Sequence, residues 1–203
     1  MISYLDPLLF PDQCHVYEVE PGRYVYPIFK NGSSSLKADA KLVNYTDLKQ
    51  VREVEVFLRE PFERYVSGVQ TYLRFLPPEL DRGTVLAMIG QCLFLNRHFA
   101  LQFHWLMNLA RFSDAWMTFR PISELSTATE HTYHLVARDE SLIKYFQDNN
   151  KLNYYLLLDK ILYENFMGQT VSFKQVVRYI KRHNLYLYNE VIERSQELCS
   201  VLD

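Results

Sequence analysis

The sequence predicts an α/β fold: a small central parallel sheet flanked by helices, with a helix-rich C-terminal half. Three observations lead there. Two short β-rich segments stand in the first 60 residues, and each runs directly into a loop or proline that opens helical spacing. Strand, loop, helix, strand, helix in that order is the pattern of a parallel α/β unit. Beyond residue 84 apolar residues recur mostly at helical spacing, interrupted by one more β-rich segment. At 203 residues the chain suffices for one well-buried domain and is marginal for two. It contains no repeat, no low-complexity tract and no linker, so residues 1–203 read as a single domain.

The first strand is "YVYPIF" at 24–29, short, apolar and rich in β-formers. "SSLKADAKLVN" at 34–44 supports a helix after the intervening loop. "VEVFL" at 54–58 is the second strand. Pro61 then occupies a first helical position with Glu60 placed to cap it. Apolar residues at 62, 65, 66, 69, 72, 73 and 76 continue that helix as one stripe. "PPELDRG" at 77–83 breaks it, and 84–112 is helical and apolar. "AWMTFRPIS" at 115–123 is a third strand with a proline near its end. The last third is mostly helical, through "NYYLLLDKILYENF", "FKQVVRYIKRH" and "LYNEVIERSQEL".

Composition narrows the function classes. A formal charge of −2 argues against a general nucleic-acid or anionic-membrane binder, while leaving room for a local basic pocket. Cys14, Cys92 and Cys199 are far apart and form no CxxC, which disfavours a disulfide framework or a zinc site. No apolar run approaches the roughly 20 residues of a membrane helix, and "MISYLDPLLF" lacks the basic start of a secretory signal. A cytoplasmic protein without a membrane or nucleic-acid partner is expected. Oligomeric state is not legible.

Two loops carry the chemistry. In "FKNGSSS", Lys30 supplies a full positive charge, Gly32 admits a close backbone approach, and Ser33, Ser34 and Ser35 add small hydroxyl donors. A strand ending in such a loop ahead of a helix makes an anion site from unpaired N–H groups and the helix dipole. The same residues also make a polar turn with a helix cap. The order is not that of a Walker A loop, whose lysine follows the glycine. The second stretch is "FLREPFERYVSG". Arg59 stands at a strand end beside the N-terminus of the Pro61 helix, and residues 60, 63/64 and 67 share one helical face. An arginine fork, helix N–H groups and the Ser67 hydroxyl then converge, which suits a phosphate monoester. An Arg–Glu surface pair on a capped helix is the plainer alternative.

Together the two stretches resemble the cofactor motifs of the sulfotransferases that use 3′-phosphoadenosine 5′-phosphosulfate (PAPS). "FKNGSSS" is similar to the family's Pro-Lys-x-Gly-small-small loop, with Phe29 in place of the proline. "REPFERYVS" is similar to Arg-x-Pro-Phe-x-Arg-x-x-Ser and keeps the separation of eight between Arg59 and Ser67. It looks most like the carbohydrate-type branch. "RHFALQFHWL" resembles a His-(Trp/Phe)-x-x-Gln segment through His98, Phe99 and Gln102, and "YYLLLDKILYE" is similar to a late Tyr…Asp helix. Only 28 residues separate Lys30 from Arg59, fewer than the family usually has.

The resemblance implies a P-loop-like sulfotransferase fold and transfer of a sulfuryl group from PAPS to an acceptor hydroxyl, on a carbohydrate or small molecule, with no metal required. It implies that Lys30, Asn31, Gly32, Ser33, Ser34 and Ser35 hold the 5′-phosphosulfate, and that Arg59 and Ser67 hold the 3′-phosphate. Lys30 would also neutralise charge on the leaving oxygen. His98 is the favoured base. His104, His15 and Asp39 are the others, with His104 reading as packed beside Trp105. Arg64 is expected to pair with a helix or loop carboxylate. Lys174, Arg178, Lys181 and Arg182 read as a solvated basic face that could also attract an anionic substrate. Two other functions compete. A P-loop small-molecule kinase would need a Walker lysine and a magnesium-binding acid after a strand. A non-catalytic nucleotide-binding module would account for the short spacing between the motifs.

Overall fold

The computed structural model describes residues 14–31, 40–75, 79, 81–91, 96–127 and 140–200. Among them the chain forms one mixed six-stranded sheet and six α-helices. The strands are β1 (His15–Glu20), β2 (Arg23–Tyr26), β3 (Lys41–Asn44), β4 (Glu53–Leu58), β5 (Trp116–Pro121) and β6 (Thr170–Ser172). The helices are α1 (Pro61–Phe75), α2 (Arg82–Gln91), α3 (Gln102–Phe112), α4 (Glu140–Gln147), α5 (Asn150–Phe166) and α6 (Phe173–Ser200). The sheet order is β3-β1-β2-β4-β5-β6. Its centre, β2-β4-β5, is parallel, and β1, β3 and β6 add antiparallel pairs at the flanks.

Period-two patterning sets the two faces of the sheet. Val16, Tyr26, Val54, Val56, Leu58, Met117 and Phe119 enter the main core, against residues of α1, α3, α5 and α6. Their alternates Tyr17, Val25 and Phe57 form a small second cluster with Leu125. Also on that second face, Glu55 takes two hydrogen bonds from Arg23. Helix α1 begins where expected. The Glu60 carboxylate accepts from the N–H groups of Phe62 (3.2 Å) and Glu63 (2.7 Å), and Tyr65, Val66, Val69 and Tyr72 are buried. Asn149 caps α5 through Leu152 N–H. Helix α6 kinks at Asn184 (φ −154°, ψ 72°), whose Oδ1 then accepts from Leu187 N–H and restarts the helix.

Four features differ from expectation. Residues 96–101, read as part of a helical stretch over 84–112, are a non-helical segment ahead of α3. The first predicted strand stops at Tyr26, because Pro27 has no N–H to continue a ladder and Ile28 N–H turns back to Tyr26 O. The helix predicted over 34–44 is not helical at its end. Lys41–Asn44 is an edge strand paired with β1, Val16 opposite Val43 and Tyr17 opposite Leu42, and pairing overrides a weak helical propensity there. Residues 34–39 lie outside the described residues. The sheet is mixed rather than purely parallel, since β1, β3 and β6 were not anticipated. Among the described residues no helix is long and apolar enough to cross a membrane.

Candidate functional site

Strands β2 and β4 are parallel neighbours, Val25 opposite Glu55 and Tyr26 opposite Val56. Their carboxyl ends therefore emerge at the same sheet edge. From β2 the chain departs towards β3 on one side, and from β4 towards β5 on the other. Adjacent strands with diverging connections open a crevice at their carboxyl ends, where open α/β sheets bind ligands. Lys30 follows the first of these strands and Arg59 the second.

The Lys30 corner is a tight turn closed by Asn31 N–H to Ile28 O at 3.0 Å. Lys30 has φ 70°, in the left-handed region, which costs a lysine about 1–2 kcal/mol. Its ammonium donates to Thr71 Oγ1 at 2.6 Å, and Thr71 donates to Ser67 O at 3.0 Å. The charge of the first motif is thus held against the helix of the second, one turn beyond Ser67. Burial and then the positive fields of Arg59, Arg64 and Arg74 push the Lys30 pKa down. The Asn31 side chain is buried and donates through Nδ2 to Phe57 O and Gln102 Oε1, both at 2.7 Å. Gly32, Ser33, Ser34, Ser35 and Asp39 lie outside the described residues.

At the second corner, Gln102 grips Arg59 by its peptide groups. Oε1 accepts from Arg59 N–H at 3.1 Å and Nε2 donates to Arg59 O at 2.9 Å. The guanidinium comes within 3.8 Å of Glu63 one turn along α1, with its side chain 20% exposed. Ser67 is half-buried on the same helix. Arg64 is placed differently from expectation: it is fully buried and bonds carbonyls rather than a carboxylate. Nε donates to Phe29 O at 3.1 Å and Nη1 to Ala100 O at 2.5 Å. Burial lowers its pKa to about 10 against the opposing field of Asp159. Arg64 therefore ties the Lys30 corner to the segment 96–101.

Asp159 of α5 completes the network. It caps α3, accepting from Gln102 N–H (2.6 Å) and Phe103 N–H (2.9 Å). Burial raises its pKa to about 6, while Arg64 and those two N–H groups favour the carboxylate. One buried chain of hydrogen bonds thus joins Asp159 to Gln102, and Gln102 to both Asn31 and Arg59. The four family-like stretches of the sequence meet in this chain.

His98 lies beside the Lys30 corner. Its ring is 5.6 Å from that of Phe29, edge-on; Arg97 Cζ is 4.8 Å above the Phe29 ring, and Phe29 stacks on Trp105 at 5.2 Å. Burial first, then Lys30, Arg97 and Arg64, lower the His98 pKa to about 4. The imidazole is therefore neutral at pH 7. The other base candidates are elsewhere. His104 is buried in the core with Nε2 2.6 Å from Ser195 Oγ and a pKa lowered to about 3, mainly by burial. His15 is on β1 against Tyr17. Thr71 and Arg97 were missed in the sequence. For Thr71 a signal existed, its i+4 spacing from Ser67 on the face assigned to the site. Arg97 had none.

Among the described residues no three His, Cys, Asp or Glu side chains gather as a metal site. Comparison with protein-family models, with curated proteins and with solved structures found no match.

Proposed function

We propose that the chain is a sulfotransferase of P-loop-like fold that moves a sulfuryl group from PAPS to an acceptor hydroxyl, on a carbohydrate or small molecule. The observation that carries the reading is the pairing of Lys30 and Arg59 at the carboxyl ends of adjacent parallel strands with diverging connections. A nucleotide with phosphate at both ends suits two such corners. The residues fit the ligand in charge as well. Lys30, Arg59, Arg64, Arg74 and Arg97 act on one another or on His98 closely enough to lower the pKa values of Lys30 and His98, and a polyanion would relieve that repulsion. In the reaction, the acceptor oxygen bonds to sulfur as the bridging S–O bond breaks, and adenosine 3′,5′-bisphosphate leaves. Lys30 would stabilise the charge on the leaving oxygen, and Arg59 with Ser67 would anchor the 3′-phosphate. His98 would take the acceptor's proton.

Calorimetry with adenosine 3′,5′-bisphosphate tests this. The wild-type chain is expected to bind, and Arg59→Ala and Lys30→Ala each to weaken binding roughly 10- to 140-fold, the loss of one charge-assisted contact. Preference for ATP with magnesium would sink the proposal in favour of a kinase.

His98 gives a pH signature. A base with pKa about 4 is too weak for work near neutrality. Bound nucleotide should offset the fields of Lys30, Arg97 and Arg64, so the His98 pKa should rise on binding. By linkage, affinity should then increase as pH falls through the bound-state pKa. NMR titration of the imidazole with and without the bisphosphate reads this directly; identical curves would remove His98 from the site.

A second reading is a nucleotide-binding module without transfer activity. It is favoured by the position of strand β3, which begins at Lys41, only eleven residues after Lys30. Bisphosphate binding without transfer to any member of a hydroxyl-acceptor panel would select it.

A further inference from the structure

Helix α6 turns an unusual stripe outward. Lys174, Arg178, Lys181 and Arg182 are exposed at spacings that keep them on one side of the helix as far as its kink, and Leu185 and Tyr186 are exposed just beyond it. From residue 173 to 189 the chain has four Lys or Arg and no Asp or Glu. The kink at Asn184 lies between the basic part of the stripe and its apolar end. There Leu185 is 54% and Tyr186 75% exposed. Of the acids, Asp114 lies 3.9 Å from Lys174, and Glu190 accepts from Tyr155 OH at 3.1 Å, so Arg178, Lys181 and Arg182 carry the stripe's charge.

We propose that this kinked stripe of α6 docks the protein on an anionic lipid surface, Leu185 and Tyr186 entering the headgroup–acyl boundary and Arg178, Lys181 and Arg182 meeting lipid phosphates and carboxylates. Charge complementarity chooses this occupant. Basic side chains beside an exposed leucine and tyrosine are the composition of an interfacial helix, and tyrosine with its apolar ring and polar tip sits at headgroup level. The surface is independent of the sulfotransferase reading. Each basic residue near an anionic leaflet adds about fivefold in affinity.

Co-sedimentation of the full chain with vesicles tests it, using phosphatidylcholine alone or mixed with phosphatidylserine in equal parts. Binding is expected on the mixed vesicles and not on phosphatidylcholine alone, weakening as salt rises. Arg178→Glu/Arg182→Glu should reduce it by about 25-fold or more, and Leu185→Asp by about tenfold. All three changes are at exposed positions, and unchanged thermal unfolding confirms that each variant folds. Absence of wild-type binding, equal binding to both vesicles, or variants that bind like wild type would overturn the proposal. So would self-association that Leu185→Asp abolishes while vesicles stay unbound, which would make the occupant a second copy of the chain.

Discussion

Asp159→Ala is expected to destabilise the protein by about 3–5 kcal/mol, the usual result of removing one member of a buried, compensated charge set. The carboxylate is 1% exposed and accepts from two α3 N–H groups, which alanine would leave without an acceptor. Arg64, also buried, would lose the negative charge that offsets its burial. A domain of ordinary stability has 5–15 kcal/mol in total, so urea unfolding should shift strongly. Asp159→Asn should cost less, about 1–3 kcal/mol, because one amide oxygen can still cap the helix. The ligand readout separates this from a general loss of core packing. Gln102 is fixed by Asp159 and in turn fixes Asn31 and both peptide groups of Arg59. In Asp159→Asn, still folded, affinity for adenosine 3′,5′-bisphosphate should fall although position 159 is itself buried. Unchanged affinity would show that the network does not set the distance between the two corners.

How much of this was open to a reader of the sequence depends on whether the deciding interaction is local. The Pro61 helix was legible because Glu60, Pro61 and the apolar stripe all act within one or two turns. "VEVFL" was legible because its alternation names both faces of the sheet at once. Strands β1, β3 and β6 were not. They run three to six residues at the flanks of the sheet, and their identity comes from register, such as Tyr17 against Val25 and Leu42, rather than from their own propensities. In the site, Lys30 and Arg59 could be named from loop chemistry. The hydrogen bonds that fix them could not, because Asn31 meets Gln102 across 71 residues and Gln102 meets Asp159 across 57. A weaker signal was present. Gln102 is a single polar residue between Leu101 and Phe103, and Asp159 follows three leucines, and buried polar groups are almost always paired. The pairing partner is the part a sequence withholds.

Gly68→Ala carries the second large effect, and its sign is the reverse of what helix propensity gives. Inside a helix, alanine for glycine normally stabilises by about 1 kcal/mol. Here a Cβ on residue 68 would lie 2.0 Å from His98 O, 2.8 Å from His98 C and 3.2 Å from Phe99 Cα. All three are backbone atoms, so no side chain can rotate away. Either α1 or the segment 96–100 must move by roughly 1 Å to restore normal contact. Overpacking of this kind costs about 1–3 kcal/mol, occasionally more. The segment that moves carries His98 and Ala100, whose carbonyl receives Arg64. On the proposed reading, with His98 as the base, transfer activity should therefore fall further than stability alone requires, since a displacement of about 1 Å at a reacting group can cost on the order of 100-fold. Bisphosphate binding should suffer less, because Lys30 and Arg59 are held from Thr71 and Gln102. Denaturant unfolding beside single-turnover rates measures both. A Gly68→Ala protein more stable than wild type would mean that α1 does not rest on the His98 backbone, and the placement of His98 at the crevice would fall with it.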